Sequence, residues 1–145
     1  MAKGYRYISH TADVEFVASG GTIEETFRNA LLALFDTVSY AGKVSRYRSK
    51  ARTFALREKA KDTVELLWYT LQDALSLLDA NGVFAYAVSG LKITKSKTGY
   101  SLAAKLHAKD RKDEYSKLDA KGVSGYDLSV KKNKGRFIAR VVIDV

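Results

Sequence analysis

Ser9-His10-Thr11-Ala12-Asp13-Val14-Glu15-Phe16 interrupts what would otherwise be one long strand. Upstream, Tyr5, Tyr7 and Ile8 stand among polar residues, and Tyr5–Ser9 reads as a short strand. Downstream, Val14–Ala18 reads as another. Between them lie His10, Thr11 and Asp13, with neither a turn glycine nor a proline. The chain therefore opens with two strands joined by a polar break, and a carboxylate sits in the break. Such a group ordinarily caps a turn or meets water. A ligand or catalytic role is the alternative that the rest of the chain must decide.

Working outward, two helices follow at helical spacing of apolar residues. The first starts at GGTIEETF, where Thr22 can cap it and Glu25 completes a capping box. Its apolar face is Ile23, Phe27, Ala30, Leu31, Leu34, Phe35 and Val38. The second starts at KDTVELLW, with Asp62 and Glu65 in the same spacing. Its stripe is Val64, Leu67, Trp68, Leu71, Leu75 and Leu78, and Asn81-Gly82 should end it. Strands are expected over 45–57, between the helices, and over 83–95, 100–108, 117–131 and 136–145 after them. KKNKGR is a hairpin turn in which Gly135 can take the left-handed conformation. The order is β-β-α-β-α and then a β meander. The expected class is α+β, with two helices packed on one face of a mostly antiparallel sheet.

With 145 residues and no linker, repeat or low-complexity stretch, residues 1–145 are expected to form a single domain. A chain of this length can bury a sizeable core without a disulfide or structural zinc. It has no cysteine and no proline. That excludes thiol nucleophiles and zinc fingers and fits a reducing compartment. No signal-like segment opens the chain and no apolar run approaches a membrane span, so a soluble, cytoplasmic protein is expected.

The formal net charge is +9, and it is uneven. Between Lys43 and Lys61 lie Arg46, Arg48, Lys50, Arg52, Arg57 and Lys59, opposed only by Glu58, with Tyr47 and Phe54 available to stack on bases. Lys92, Lys95, Lys97, Lys105, Lys109, Arg111 and Lys112 form a second basic run. A solvated strand face and a nucleic-acid surface both fit this pattern.

The C-terminal stretch RFIARVVIDV reads as a strand whose VVI run is buried on both faces, ending in Asp144 and Val145. A charge there must reach water, a basic partner such as Arg140, or a cation. If Asp13 and Asp144 meet on neighbouring strands, a hard divalent cation would relieve their repulsion, and Val145 could add an oxygen. His10, three residues from Asp13, fits a hydrogen-bonding role that holds the loop. The glycine pair before Thr22 lacks a Walker lysine and is better explained as a tight turn into a capped helix. No Ser/His/Asp nucleophile set is visible, and nothing marks the chain as an enzyme in its own right.

Taken together, these segments resemble the archease family over nearly the whole chain. ISHTADVEFVASG is similar to its opening H-T-A-D strand–loop–strand. TIEETFRNALLALFDTV and DTVELLWYTLQDALSLLDANGVF resemble its two helices, and ARVVIDV its last strand. The resemblance implies a small α+β protein that activates an RtcB-type RNA ligase in tRNA splicing. It implies promotion of GTP-dependent guanylylation of the ligase histidine, repeated turnover and broader nucleotide use. It also implies a divalent cation, foremost Ca²⁺ with Mg²⁺ or Mn²⁺ as alternatives, held by Asp13, Asp144 and an oxygen of Val145. His10 and Asp73 would support those ligands, and Lys121 would be a functional lysine. Where the family has K-A-V-T-Y-H this chain has KGVSGY, and TLQD replaces W-L-N-E. The rival readings are a basic nucleic-acid-binding module, through which tRNA could contact the basic strands, and a chaperone-like adaptor for RNA-modifying enzymes.

Overall fold

The computed structural model describes residues 4–8 and 13–145. The strands β1 (Tyr5–Ile8) and β2 (Val14–Gly20) flank the opening polar break, whose residues 9–12 lie outside the described ones. Then come α1 (Ile23–Val38), a short α2 (Ala41–Arg46), β3 (Arg52–Ala60) and α3 (Thr63–Asn81). The remainder is β4 (Val83–Ser96), β5 (Gly99–Asp110), β6 (Gly122–Val123), β7 (Ser129–Asn133) and β8 (Arg136–Asp144).

The α+β class holds, with helices packed on antiparallel strands. The detail differs from one sheet under two helices. The strands form a five-stranded sheet, in which β8 pairs with β2 on one side and with β6 and β7 on the other, and a three-stranded sheet ordered β3-β5-β4. Every pairing among these strands is antiparallel. Both α1 and α3 touch strands of both sheets as well as each other. Phe27, Leu31, Leu34 and Phe35 of α1 and Leu66, Leu67 and Leu71 of α3 are completely buried there.

Two segments depart from the expected strands. The strand expected over 45–57 runs instead from Arg52 to Ala60, and the first two residues of the expected span, Ser45 and Arg46, belong to α2, because Val44 packs into the core and Lys109 crosses from β5 to bond the carbonyls of Ser45 and Tyr47 at 2.9 and 3.0 Å. A cation at a helix C-terminus satisfies carbonyls that have no partner within the helix. Residues 117–131 are not one strand. The chain turns through Asp127, at φ 58°, so that β6 and β7 pair separately with the two ends of β8. The β7–β8 hairpin closes on Lys134 and Gly135, both at positive φ (52° and 79°), as a tight two-residue turn demands.

The helix starts follow the sequence. The Thr22 hydroxyl accepts the Glu25 N–H at 3.0 Å, and the Glu25 carboxylate accepts the Gly21 N–H at 3.3 Å. The Asp62 carboxylate accepts the Glu65 N–H at 2.8 Å, and α3 ends on Gly82 at φ 61°. Thr22→Ala is expected to cost about 1 kcal/mol. In urea titration the midpoint should fall with an unchanged slope; an unmoved midpoint would mean that the cap contributes nothing.

Candidate functional site

The β2–β8 ladder ends at the pair Val14–Ile143, and Asp13 and Asp144 flank that pair on adjoining strands. Residues near the two ends of the sequence therefore arrive at one end of the five-stranded sheet. Asp13 is half-buried, Asp144 is exposed, and Val145 packs against the core. Three consecutive buried residues, Val141, Val142 and Ile143, hold β8 in place up to the point where Asp144 emerges.

Lys121 is at the same place. Gly122 pairs with Asp144 across the ladder, and the Lys121 N–H donates to the Asp144 carbonyl at 2.7 Å. The Asp144 backbone oxygen is thereby engaged, while its carboxylate is exposed. The structure thus brings together Asp13, Asp144, Val145 and Lys121. His10 lies outside the described residues.

Asp73 faces elsewhere. On α3 it hydrogen-bonds Glu58 of β3, in the other sheet. Partial burial, the hydrogen bond to Asp73 and its negative charge push the Glu58 carboxyl up to about 8, so Glu58 holds a proton at neutral pH. A carboxyl whose affinity for a proton is higher in the folded state stabilises the fold below its unfolded pKa. That contribution is lost as pH rises through the folded value. Stability should therefore fall between about pH 4.5 and 8. Glu58→Gln should flatten this decline in denaturation measured across the range, and an unchanged slope would refute the shared proton. The signal for Glu58 was present in the alternation of β3, where it occupies the inward phase with Phe54, Leu56 and Ala60.

A second feature escaped the sequence reading. Val123 in β6 turns both backbone groups outward, toward α3. The Gln72 side chain accepts its N–H at 2.9 Å, and the Trp68 indole donates to its carbonyl at 2.9 Å. Two side chains one helical turn apart thus satisfy the free edge of this short strand. Trp68 was legible only as part of an apolar stripe. Its indole N–H was the clue, because a partly buried tryptophan seeks an acceptor.

The Archease protein family (MTH1598/TM1083) matches residues 5–145. The chain belongs to the archease family. Among its archease relatives, that of Methanosarcina barkeri is 31% identical over 147 residues, covering 100% of this chain and 98% of the relative. The archease of Pyrococcus abyssi is 28% identical, covering 99% of each. The solution structure of Methanobacterium thermoautotrophicum protein 1598 superposes with a TM-score of 0.77 at 26% identity, over 99% of this chain and 100% of that one. A Thermotoga maritima crystal structure, described as an archease and possible chaperone, matches in fold with a TM-score of 0.61 at 19% identity, over 95% and 94%.

The donor chemistry at the strand ends suits a hard cation. Among the described residues no three His, Cys, Asp or Glu side chains gather closely enough to hold a metal, and Asp13, Asp144 and Val145 offer oxygen donors alone. Oxygen donors favour Ca²⁺, Mg²⁺ or Mn²⁺ over zinc, and so few of them leave coordination positions for water or a phosphate oxygen. No helix among the described residues is long and apolar enough to cross a membrane.

Proposed function

We propose that this archease activates an RtcB-type RNA ligase in tRNA splicing, as a cytoplasmic protein cofactor rather than an enzyme. It promotes guanylylation of the ligase histidine from GTP, sustains repeated turnover and widens nucleotide use. Asp13, Asp144 and an oxygen of Val145 hold a divalent cation, Ca²⁺ foremost and Mg²⁺ or Mn²⁺ as alternatives. The observation that supports this reading is the β2–β8 register, which brings Asp13 and Asp144 to one strand end.

When bound, such a cation supplies charge neutralisation to a triphosphate. The chain's own residues do the holding. β8 is anchored by its buried valines and isoleucine and fixes the Asp144 backbone. Lys121, just before β6, donates its N–H to that backbone, and its side chain is exposed. Its ammonium can pair with a phosphate oxygen as a point charge.

A chaperone-like adaptor is the rival. It would need exposed apolar surface to hold unfolded clients. The large exposed hydrophobic residues among those described are Tyr7, Tyr40, Leu118 and Tyr126, and three of them are phenols with a polar hydroxyl.

The test uses purified ligase with labelled GTP. Substoichiometric amounts of this protein should accelerate guanylylation and allow many turnovers. No acceleration, or equal protection of unrelated aggregating clients, would overturn the proposal. Lys121→Ala should reduce the acceleration without altering the stabilisation by Ca²⁺; full activity in that variant would remove Lys121 from the site.

A further inference from the structure

The positive charges do not all serve the same purpose. Arg52, Arg111, Lys112, Lys117 and Arg140 pair with carboxylates. Lys109 is buried against backbone carbonyls. By contrast, Arg57, Lys59, Lys92 and Lys105 are exposed, and none has a carboxylate within ion-pair distance among the described residues. All four lie on the outer face of the three-stranded sheet.

The register arranges them. Arg57, Ala103 and Lys92 form one cross-strand row, and Lys59, Ser101 and Thr94 the next. Small side chains on the central strand make a floor between basic walls. The walls are two interstrand spacings apart, about 10 Å. The trough between them has a volume of about 490 Å³. A second cavity of about 350 Å³ shares Lys59 and Ser101 and continues toward Lys61 and the hydroxyls of Ser96 and Thr98. No outward position of β3 or β5 carries a carboxylate. Glu58 contributes to the wall of the first cavity, but its carboxyl bonds Asp73. Glu65 borders the second.

We propose that this outer face binds the sugar–phosphate backbone of single-stranded RNA. The trough is linear and about one backbone wide, which suits a linear polyanion better than an acidic protein surface. The first cavity has no aromatic lining residue and Tyr100 is the one aromatic bordering the second, which favours phosphate and sugar contacts over base stacking. Hydroxyls on the floor can meet the 2′-OH that distinguishes RNA from DNA. The inference goes beyond the cation reading and needs neither Asp13 nor Asp144, which belong to the other sheet.

The experiment is fluorescence anisotropy with the full chain and a labelled single-stranded RNA of about 20 nucleotides, between about 50 and 200 mM salt. The Arg57→Ala/Lys59→Ala/Lys92→Ala variant should bind at least about tenfold more weakly at low salt. Its salt slope should be shallower by about 2, at about 0.7 per lost phosphate contact. Ser101→Asp, which places a carboxylate on the floor, should also weaken binding. Lys131→Ala/Lys132→Ala on the other sheet and Asp13→Ala/Asp144→Ala should bind as the wild type does. The proposal is overturned if the wild type does not bind, if the triple variant keeps its affinity and slope, or if the Lys131/Lys132 variant loses as much. Equal affinity for DNA of the same sequence would also overturn it. So would a triple variant that loses polyglutamate binding but retains RNA, since that would assign the face to an acidic protein.

Discussion

Replacing Asp13 and Asp144 together by alanine is expected to abolish stabilisation by Ca²⁺ and, with it, stimulation of the ligase. The two residues flank the last pair of the β2–β8 ladder, so each change removes one carboxylate from the same strand end. A ligand that binds only the folded state stabilises by about 2.7 kcal/mol at a hundredfold excess over its dissociation constant. For a domain of this size that corresponds to a rise in Tm of roughly 5–10 °C. The wild type should show the rise in a calcium titration and the double variant should not. The substitutions spare the core, since Asp144 is exposed and Asp13 only half-buried. Circular dichroism without cation should therefore match the wild type. An equal rise in Tm for both proteins would end the cation proposal. A lost rise with intact ligase stimulation would separate the cation from the activity.

Phe16→Ala should have the largest effect on stability, about 3–5 kcal/mol. Phe16 is completely buried in β2 opposite Val141 of β8, and its ring meets Tyr7 edge-on at 6.3 Å between centroids. The Tyr7 hydroxyl in turn donates to the Ala33 carbonyl of α1 at 3.0 Å. Removing the ring opens a cavity under the strand that carries Asp13 and loosens the attachment of β1 to the helix. Urea denaturation measures the loss directly. Phe16→Leu fills more of the space and should lose much less. A cost below about 1 kcal/mol for the alanine variant would mean that the site relaxes to close the void, contrary to close packing of the core.

The helices were legible because their signals are local. Thr22 and Asp62 are caps, Gly82 is a stop, and the apolar spacing between them is unbroken. Strand positions were legible where residues alternate or form an apolar run, as in β3 and β8. The division into two sheets was not legible. It depends on which strand lies beside β5 and which beside β8, and alternation contains no information about partners. The short α2 was hidden because six residues are too few for a helical period, and a long-range contact from Lys109 stabilises it.

The candidate site was legible as a pair of motifs, one at each end of the chain. The register that brings them together depends on long-range pairing. The place of Lys121 beside Asp144 rests on one backbone hydrogen bond that no residue pattern announces. Asp73 illustrates the opposite case. The family resemblance made it a support for the cation ligands, and its partner is Glu58.

The indole of Trp68 is the chain's sole tryptophan, and its N–H is bonded to the carbonyl of the residue next to Gly122, the partner of Asp144. The protein therefore contains its own optical reporter. The emission wavelength and quenching of that single fluorophore follow the polarity around β6. Any event that tightens or frees this strand can thus be timed in unlabelled protein, before the ligase is added.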